Sequence, residues 1–530
     1  MRHTSVLSPN MSRQRCVTKP SVRSKGGIVV SQNRAASEAG ARVLKEGGHA
    51  VDAAIATAMT LGVVEPWMSG IGGVGVMLVR DGKSGKVTCF DFGAVSPAAL
   101  NPKDYPLERG KDVDLFGWAK VKDGRNTIGA TAVCTPSQPL GLATAHKQFG
   151  RKRWKDLLRP AIAHAESGLV VDWFTMLNIA ACETDLARDP GASKRFLPGG
   201  HLPQPPIATT ADGVVRLAMP DLARTLTTLA DDGAAALYKG PLARAIAADI
   251  KTMGGCLSTS DLASYKVTEW DAHEIIHGNR TIHVLPELNG GTTLAVAYAE
   301  LQRIRKKVES KPGPKTFVAY AAALKHAWTD RFARLGDAGE RTAPTCTTHL
   351  SVVDRDGNMV TLTQTLLSLF GARIVLPKTG IMMNNGINWF DPTGGPNGLA
   401  PSRRALANYA PAIMTGADES IAIGGCGGRK IIPAVFQLLA LSADFGFDLE
   451  QAFHTPRVDV SGGPTVAVDQ RLDAKTKAAL TEAFDTVDCE SVPFPFPFTI
   501  ASAVRRSGGR NEGATEPEHP WSDAVSEEAV

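Results

Sequence analysis

Apolar positions along the chain fall into helical runs first and alternating runs later, and their order predicts a layered α+β protein. A short apolar run at 27–31 reads as a strand. Residues 35–46 then repeat their apolar positions at helical spacing and end at Gly47-Gly48, a helix-stop signal. Residues 50–64 read as a second helix, rich in small residues and stopped by Pro66. The glycine-rich segment 70–75 leads into a strand at 76–80, which turns through Asp81-Gly82-Lys83-Ser84-Gly85 and returns along 87–92 as a hairpin. The middle of the chain is helical, with apolar residues three and four apart in 140–149, 154–167, 220–231, 241–253 and 317–333. Ser258 caps the start of a further helix, and the Lys- and Pro-containing stretch 305–315 reads as a surface loop. From Thr347 onward the period shortens to that of strands, at 348–354, 359–364 and 380–383. A strand at 420–424 then turns through 425–429 into a helix over 430–443, and Glu512–Pro517 closes a final strand.

At 530 residues and 43% hydrophobic content the chain can bury a large core. Its net charge of +5 is carried by the first 25 residues, where Arg2, Arg13, Arg15, Lys19, Arg23 and Lys25 stand without an acid. The rest is close to neutral, so neither nucleic acid nor an anionic membrane is expected as a partner. The eight cysteines are scattered, with no CxxC pair and no histidine at zinc-like spacing, so no metal, disulfide framework or cofactor is predicted. No apolar stretch is long enough to span a bilayer, and no apolar core follows the basic N-terminal residues. The expected location is therefore the cytoplasm. Met11 is an alternative start to Met1.

Three motifs carry candidate chemistry. Gly70-Ile71-Gly72-Gly73-Val74-Gly75 has the letters of a dinucleotide fingerprint, but a helix precedes it and a strand follows. A pyrophosphate loop needs the reverse order, so nucleotide binding is rejected. Gly424-Gly425-Cys426-Gly427-Gly428-Arg429-Lys430 follows a strand and opens a helix without Walker spacing. It offers backbone N–H groups to a negative oxygen, or is simply a tight turn that needs glycine. Cys346 and His349, three apart on a strand, point to opposite faces and cannot act as a thiol–imidazole pair. Thr347 becomes a nucleophile only if the chain is cut before it, because its own α-amine then serves as general base; otherwise it is an ordinary strand start.

Taken in order, these pieces resemble the γ-glutamyltransferase family of N-terminal-nucleophile hydrolases. The resemblance rests on Ala36–Gly40, Gly47–Ala54, Glu65–Gly73, Leu237–Gly240, Thr347-Thr348-His349, Asn384-Asn385 and Gly427-Gly428. It implies an αββα sandwich and self-cleavage between Cys346 and Thr347. The chain then divides into a basic extension over residues 1–25 outside the folded unit, a large chain over 26–346 and a small chain over 347–530. The two chains are expected to stay associated within one folded unit, with a homo-oligomer as a further expectation. The resemblance makes Thr347 the nucleophile, Thr365 its hydrogen-bonding partner, and Gly427 and Gly428 the oxyanion-hole glycines.

The same resemblance exposes departures. Gly93 stands where family members carry an arginine for the substrate carboxylate, and Ala407-Asn408 replaces a serine pair. Trp389 falls near the acidic residue that follows the Asn384-Asn385 pair, and Leu367 replaces an asparagine. Asn385, Arg403 and Arg404 complete the expected substrate-binding set. A charge-assisted hydrogen bond contributes about 1.5–3 kcal/mol, so losing this clamp removes the grip on a γ-glutamyl zwitterion. The expected activity is hydrolysis or transfer of another acyl group, a small dicarboxylic monoamide or an acylated amine, to water or an amine. The alternatives are a true γ-glutamyl enzyme acting on glutathione and an uncleaved, non-catalytic homologue.

Overall fold

Strands that are apolar on both faces need cover on both sides, and the chain supplies it by stacking two sheets between helices. The computed structural model describes residues 17–112, 117–204, 214–305, 307–337, 346–494 and 496–530. One seven-stranded sheet runs in the order Asp523–Ser526, Ile28–Ser31, Thr348–Val353, Met359–Thr365, Val74–Arg80, Val87–Phe92, Thr268–Asp271. The other runs Val22–Ser24, Arg510–Thr515, Ile500–Ser507, Glu419–Cys426, Ala412–Thr415, Arg280–Val284, His273–His277. Neighbours in both are antiparallel.

Alternation along each strand sorts its side chains into three apolar layers. Ile28, Val30, Val76 and Leu78 meet Ile413, Ala422 and Val504 between the sheets. Val29, Met77 and Val79 face outward onto the helices Arg34–Lys45 and Ala50–Val64. Ile282, Met414 and Ile423 face the opposite way, onto Gly290–Ile304, Pro314–Leu335 and Ile431–Phe445. The result is the αββα sandwich. Ala50–Val64 is buried around nearly its whole circumference, which its small residues permit. A capping box fixes its start: His49 Nδ1 accepts from the Val51 amide, and Asp52 accepts from the His49 amide at 2.9 Å.

Two expectations change. The segment 380–383 forms only isolated bridges, Met382 to Val375 and Met383 to Gly72, and is held by its turn and by Asn384 rather than by a ladder. The extension over 1–25 is not wholly outside the fold, because Val22–Ser24 pairs as an edge strand with Arg510–Thr515. Just before it, Lys19 Nζ donates to the carbonyl of Ser522 at 2.9 Å. Residues 1–16 lie outside the described residues.

Candidate active site

Register brings the two threonines together. Thr348 pairs with Gln364, so Thr347 and Thr365 occupy the same end of the sheet, with their hydroxyls within 3.5 Å. Both are buried. Each hydroxyl donates to the carbonyl oxygen of Cys346, Thr365 at 2.9 Å and Thr347 more closely. Thr365 Oγ1 in turn accepts from the Leu367 amide at 2.8 Å. That bond holds Leu367 at a φ of 88°, in the left-handed region that costs a non-glycine residue about 1–3 kcal/mol. Phe370 and Arg373, in the same loop, also have positive φ.

The glycine run at 70–75 serves this end of the sheet by letting backbones approach. A Cβ on Gly73 would lie 2.5 Å from the Thr365 carbonyl oxygen, so no other residue fits there. Cys346 and His349 do not meet. The Cys346 thiol donates to the carbonyls of Trp67 and Met68, while His349 Nδ1 bonds Thr363 Oγ1 at 2.9 Å. Burial pushes the Cys346 thiol well above its usual value and the His349 imidazole down to about 3. Neither group is set up for thiolate chemistry.

The strand Glu419–Cys426, in the second sheet, faces these residues across the inter-sheet layer, with Thr361 Oγ1 donating to the Ile423 carbonyl at 3.0 Å. It runs toward the Thr347 end, where the Cys426 thiol lies close enough to add to the burial that raises the Cys346 thiol. Gly427 follows at a φ of 126°, which bars a side chain and turns the backbone into the helix at Ile431. Beyond it Arg429 is fixed by a buried ion triad. Asp337 lies between Arg429 and Arg331, which it meets at 2.7 Å, and all three are almost fully buried. Arg331 also donates to the Ala407 carbonyl at 2.9 Å and to Asn408 Oδ1 at 2.8 Å. One cluster therefore ties the end of the helix Pro314–Leu335, the glycine turn and the 407–408 segment together.

The expected substrate-binding residues divide. Arg404 reaches Asp91 at 2.8 Å and the Gly93 carbonyl at 3.3 Å, with its guanidinium over the Tyr265 ring. A Cβ on Gly93 would lie 3.2 Å from the Arg404 guanidinium, so Arg404 puts a cation at the place where Gly93 has none. Trp389 is buried edge-on against Tyr409, their centroids 5.5 Å apart. The Tyr409 hydroxyl is buried without a hydrogen-bond partner among the described residues. Three expectations need correction. Arg403 turns its guanidinium onto the carbonyls of Pro396 and Gly398, away from Gly93. Asn385 spends its amide on Thr127, Ser368 and the Ser368 backbone, so it positions the loop after Thr365. The Asn408 carbonyl oxygen is committed to Arg331, and the Ala407 side chain packs into the inter-sheet core.

A family model described as gamma-glutamyltranspeptidase matches residues 36–346 and 339–525, nearly the whole chain. The chain belongs to the gamma-glutamyltranspeptidase family. Among curated relatives, the Acylase ACY 1 proenzyme of Pseudomonas sp. (strain SE83) is 31% identical over 86% of this chain and 86% of its own. Glutathione hydrolase 3 of Arabidopsis thaliana is 30% identical over 79% of this chain and 70% of its own. A crystal structure of cephalosporin acylase from Bacillus halodurans superposes with a TM-score of 0.83 at 24% identity, covering 98% of this chain and 99% of that one. That likeness supports the fold, an αββα sandwich.

Within this family frame, the chain is an enzyme of the amidohydrolase and acylase kind. Sequence reasoning missed Arg331, Asp337, Tyr265, Tyr409 and Asp91. Each is an ordinary helix, loop or strand residue in the sequence, and no local pattern encodes the more distant residues it meets. Family motifs point to the Thr347 end of the sheet as the candidate site. They do not reveal which side chains crowd around it.

Proposed function

We propose that the chain cuts itself between Cys346 and Thr347, and that the freed Thr347 is the nucleophile of an amidohydrolase or acyltransferase. The observation that carries this reading is the Cys346 carbonyl, whose oxygen receives the hydroxyls of both Thr347 and Thr365. In the precursor, Thr347 Oγ adds to the Cys346 carbonyl carbon, and Thr365 donates to the oxygen as it becomes negative. Collapse breaks the C–N bond, the nitrogen takes a proton, and the acyl group is left as an ester on Thr347 Oγ. Water then cleaves the ester, leaving a carboxylate on Cys346 and an α-amine on Thr347. That amine takes the proton from Oγ when the hydroxyl attacks an amide substrate. Backbone N–H groups of the Gly427–Gly428 turn hold the new oxyanion, a contact typically worth about 3–4 kcal/mol. The leaving amine departs with a proton, and water or an amine acceptor takes the acyl group from Thr347.

The acyl group in this reading is not unmodified γ-glutamyl. Gly93 lacks the side chain of a carboxylate clamp, and Trp389 presents an aromatic wall instead of an acid. The Arg404 guanidinium beside Gly93 and the unpartnered Tyr409 hydroxyl supply donors for an anionic end. A small dicarboxylic monoamide satisfies both features. Changing Thr347 to Ala should leave a single uncut band on a denaturing gel; cleavage at the same bond in that variant would overturn the nucleophile assignment. A panel of glutaryl, oxamoyl and γ-glutamyl amides then reads the acyl group. The similarity to glutathione hydrolases favours a second reading, a true γ-glutamyl enzyme, and preferred turnover of γ-glutamyl-p-nitroanilide would select it. A wild-type chain that stays uncut would instead be the non-catalytic homologue.

A further inference from the structure

Next to the turn that follows the helix Ala50–Val64 lies a cavity of about 210 Å³ with no counterpart in the chemistry described so far. Glu65 and Asp172 line it, together with Asn33, Trp67, Phe174 and Trp521. Glu65 is 1% exposed, and neither carboxyl oxygen has a partner within hydrogen-bonding geometry among the described residues, although Asn33 stands close enough to favour the ionised form. An ionised carboxyl buried without a partner is strongly disfavoured until something brought from outside completes it.

The walls define what that something is. Among the described residues the cavity is lined by two carboxyl groups and by neither lysine nor arginine. His164, which also lines it, is pushed by burial toward its neutral form. The local charge therefore calls for a cation. Its apolar walls rule out a strongly hydrated one: Phe174 stacks on Trp521 at 4.7 Å and meets Trp67 edge-on at 6.0 Å. Such an aromatic corner attracts an organic cation through the negative faces of its rings. Among the described residues, no three His, Cys, Asp or Glu side chains are grouped to hold a metal ion.

We propose that this cavity binds a small organic ammonium ion, with Glu65 as its counter-charge and Trp67, Phe174 and Trp521 as its walls. The site adjoins the cleavage bond through Trp67, whose carbonyl accepts from the Cys346 thiol. It is distinct from the Arg404 side and does not depend on the nucleophile. Burial, reinforced by Asp172, pushes the Glu65 carboxyl up to about 8. Ammonium binding below that pH therefore displaces a proton from Glu65, and affinity rises with pH up to it. The other groups facing Glu65 are Asp172, His164 and the thiols of Cys346 and Cys426, both held above their usual value by burial.

Calorimetric titration of the full chain with n-butylammonium, and with 1-butanol as a neutral isostere, tests the site. The ammonium ion should bind saturably, at least about tenfold more tightly than the alcohol, with a heat that follows the ionisation enthalpy of the buffer. Glu65→Gln should weaken the ammonium ion by at least about tenfold and leave the alcohol unchanged. The Thr347→Ala chain should bind it like wild type, which separates this site from the proposed catalytic one. Equal affinity for ammonium and alcohol, no saturable binding, or an unaffected Glu65→Gln variant would each overturn the proposal. If Glu65→Gln does not fold, the thermal shift of the wild-type chain decides: stabilisation by the ammonium ion but not by the alcohol supports the site, and any other pattern sinks it.

Discussion

The Thr365 hydroxyl donates to the carbonyl of the bond proposed to be cut, and its orientation is fixed by the Leu367 amide. Replacing Thr365 with Val keeps the shape and removes the donor to the Cys346 carbonyl. Self-cleavage should slow by about 10²–10³-fold, the usual cost of one oxyanion donor, and Thr365→Ser should restore most of it. The time course of fragment appearance on a denaturing gel measures both. Glu65 makes a different kind of statement. Its carboxyl is raised to about 8, so folding favours the neutral acid. The associated stability is fully present below the ordinary glutamate range and is lost as pH rises through about 8. The thermal midpoint of the wild-type chain should therefore fall across that window relative to Glu65→Gln, by an amount on the order of a few kcal/mol in stability. Parallel melting curves for the two proteins would contradict this. Thr347, Thr365 and Glu65 all lie in motifs readable in the sequence. The sequence does not show that Glu65 lacks a partner, because that depends on the side chains that surround it.

At the scale of elements, the helix Pro314–Leu335 and the turn at Gly427 are joined through Asp337. Asn at 337 would leave Arg331 and Arg429 buried with no counter-charge from this position. Breaking a buried pair in this way costs about 3–5 kcal/mol, and the loss should appear in urea denaturation of the cleaved protein. Elements whose limits are set by local signals were readable from sequence. Residues 50–64 form the predicted helix because the His49–Asp52 box and Pro66 act within a few residues of its ends. The helix Trp154–Ser167 likewise matches its apolar spacing and ends at Gly168, whose φ is positive. The 380–383 segment was not readable, since its contacts are with Gly72 and Val375 and no local pattern encodes them. The choice between Arg403 and Arg404 was equally closed to sequence, because adjacent residues differ only in which distant carbonyls or carboxylates they reach.

Across the whole molecule, the expected cut at 346–347 would not separate two independent halves. Ile28–Ser31, from the large chain, pairs on one side with Asp523–Ser526 and on the other with Thr348–Val353, both from the small chain. The second sheet interleaves the chains too, with Arg280–Val284 beside Ala412–Thr415 and Val22–Ser24 beside Arg510–Thr515. Pulling the chains apart would break strand ladders in both sheets and open all three apolar layers. After cleavage they should co-elute on size exclusion in native buffer and separate only in denaturant; native dissociation would refute this account of the fold. The sequence by itself determined the order of elements, through periodicity and turn chemistry encoded within a few residues. Its resemblance to a family, and not periodicity, implied the αββα class, the pairing of Thr347 with Thr365 and the missing side chain at Gly93. Only the tertiary structure decided that both hydroxyls converge on the Cys346 carbonyl, that Arg404 occupies the space beside Gly93, that Asp337 bridges two arginines, and that Glu65 faces an aromatic cavity. Each of these depends on side chains brought together by sheet register and layer packing, which act between residues far apart in the chain.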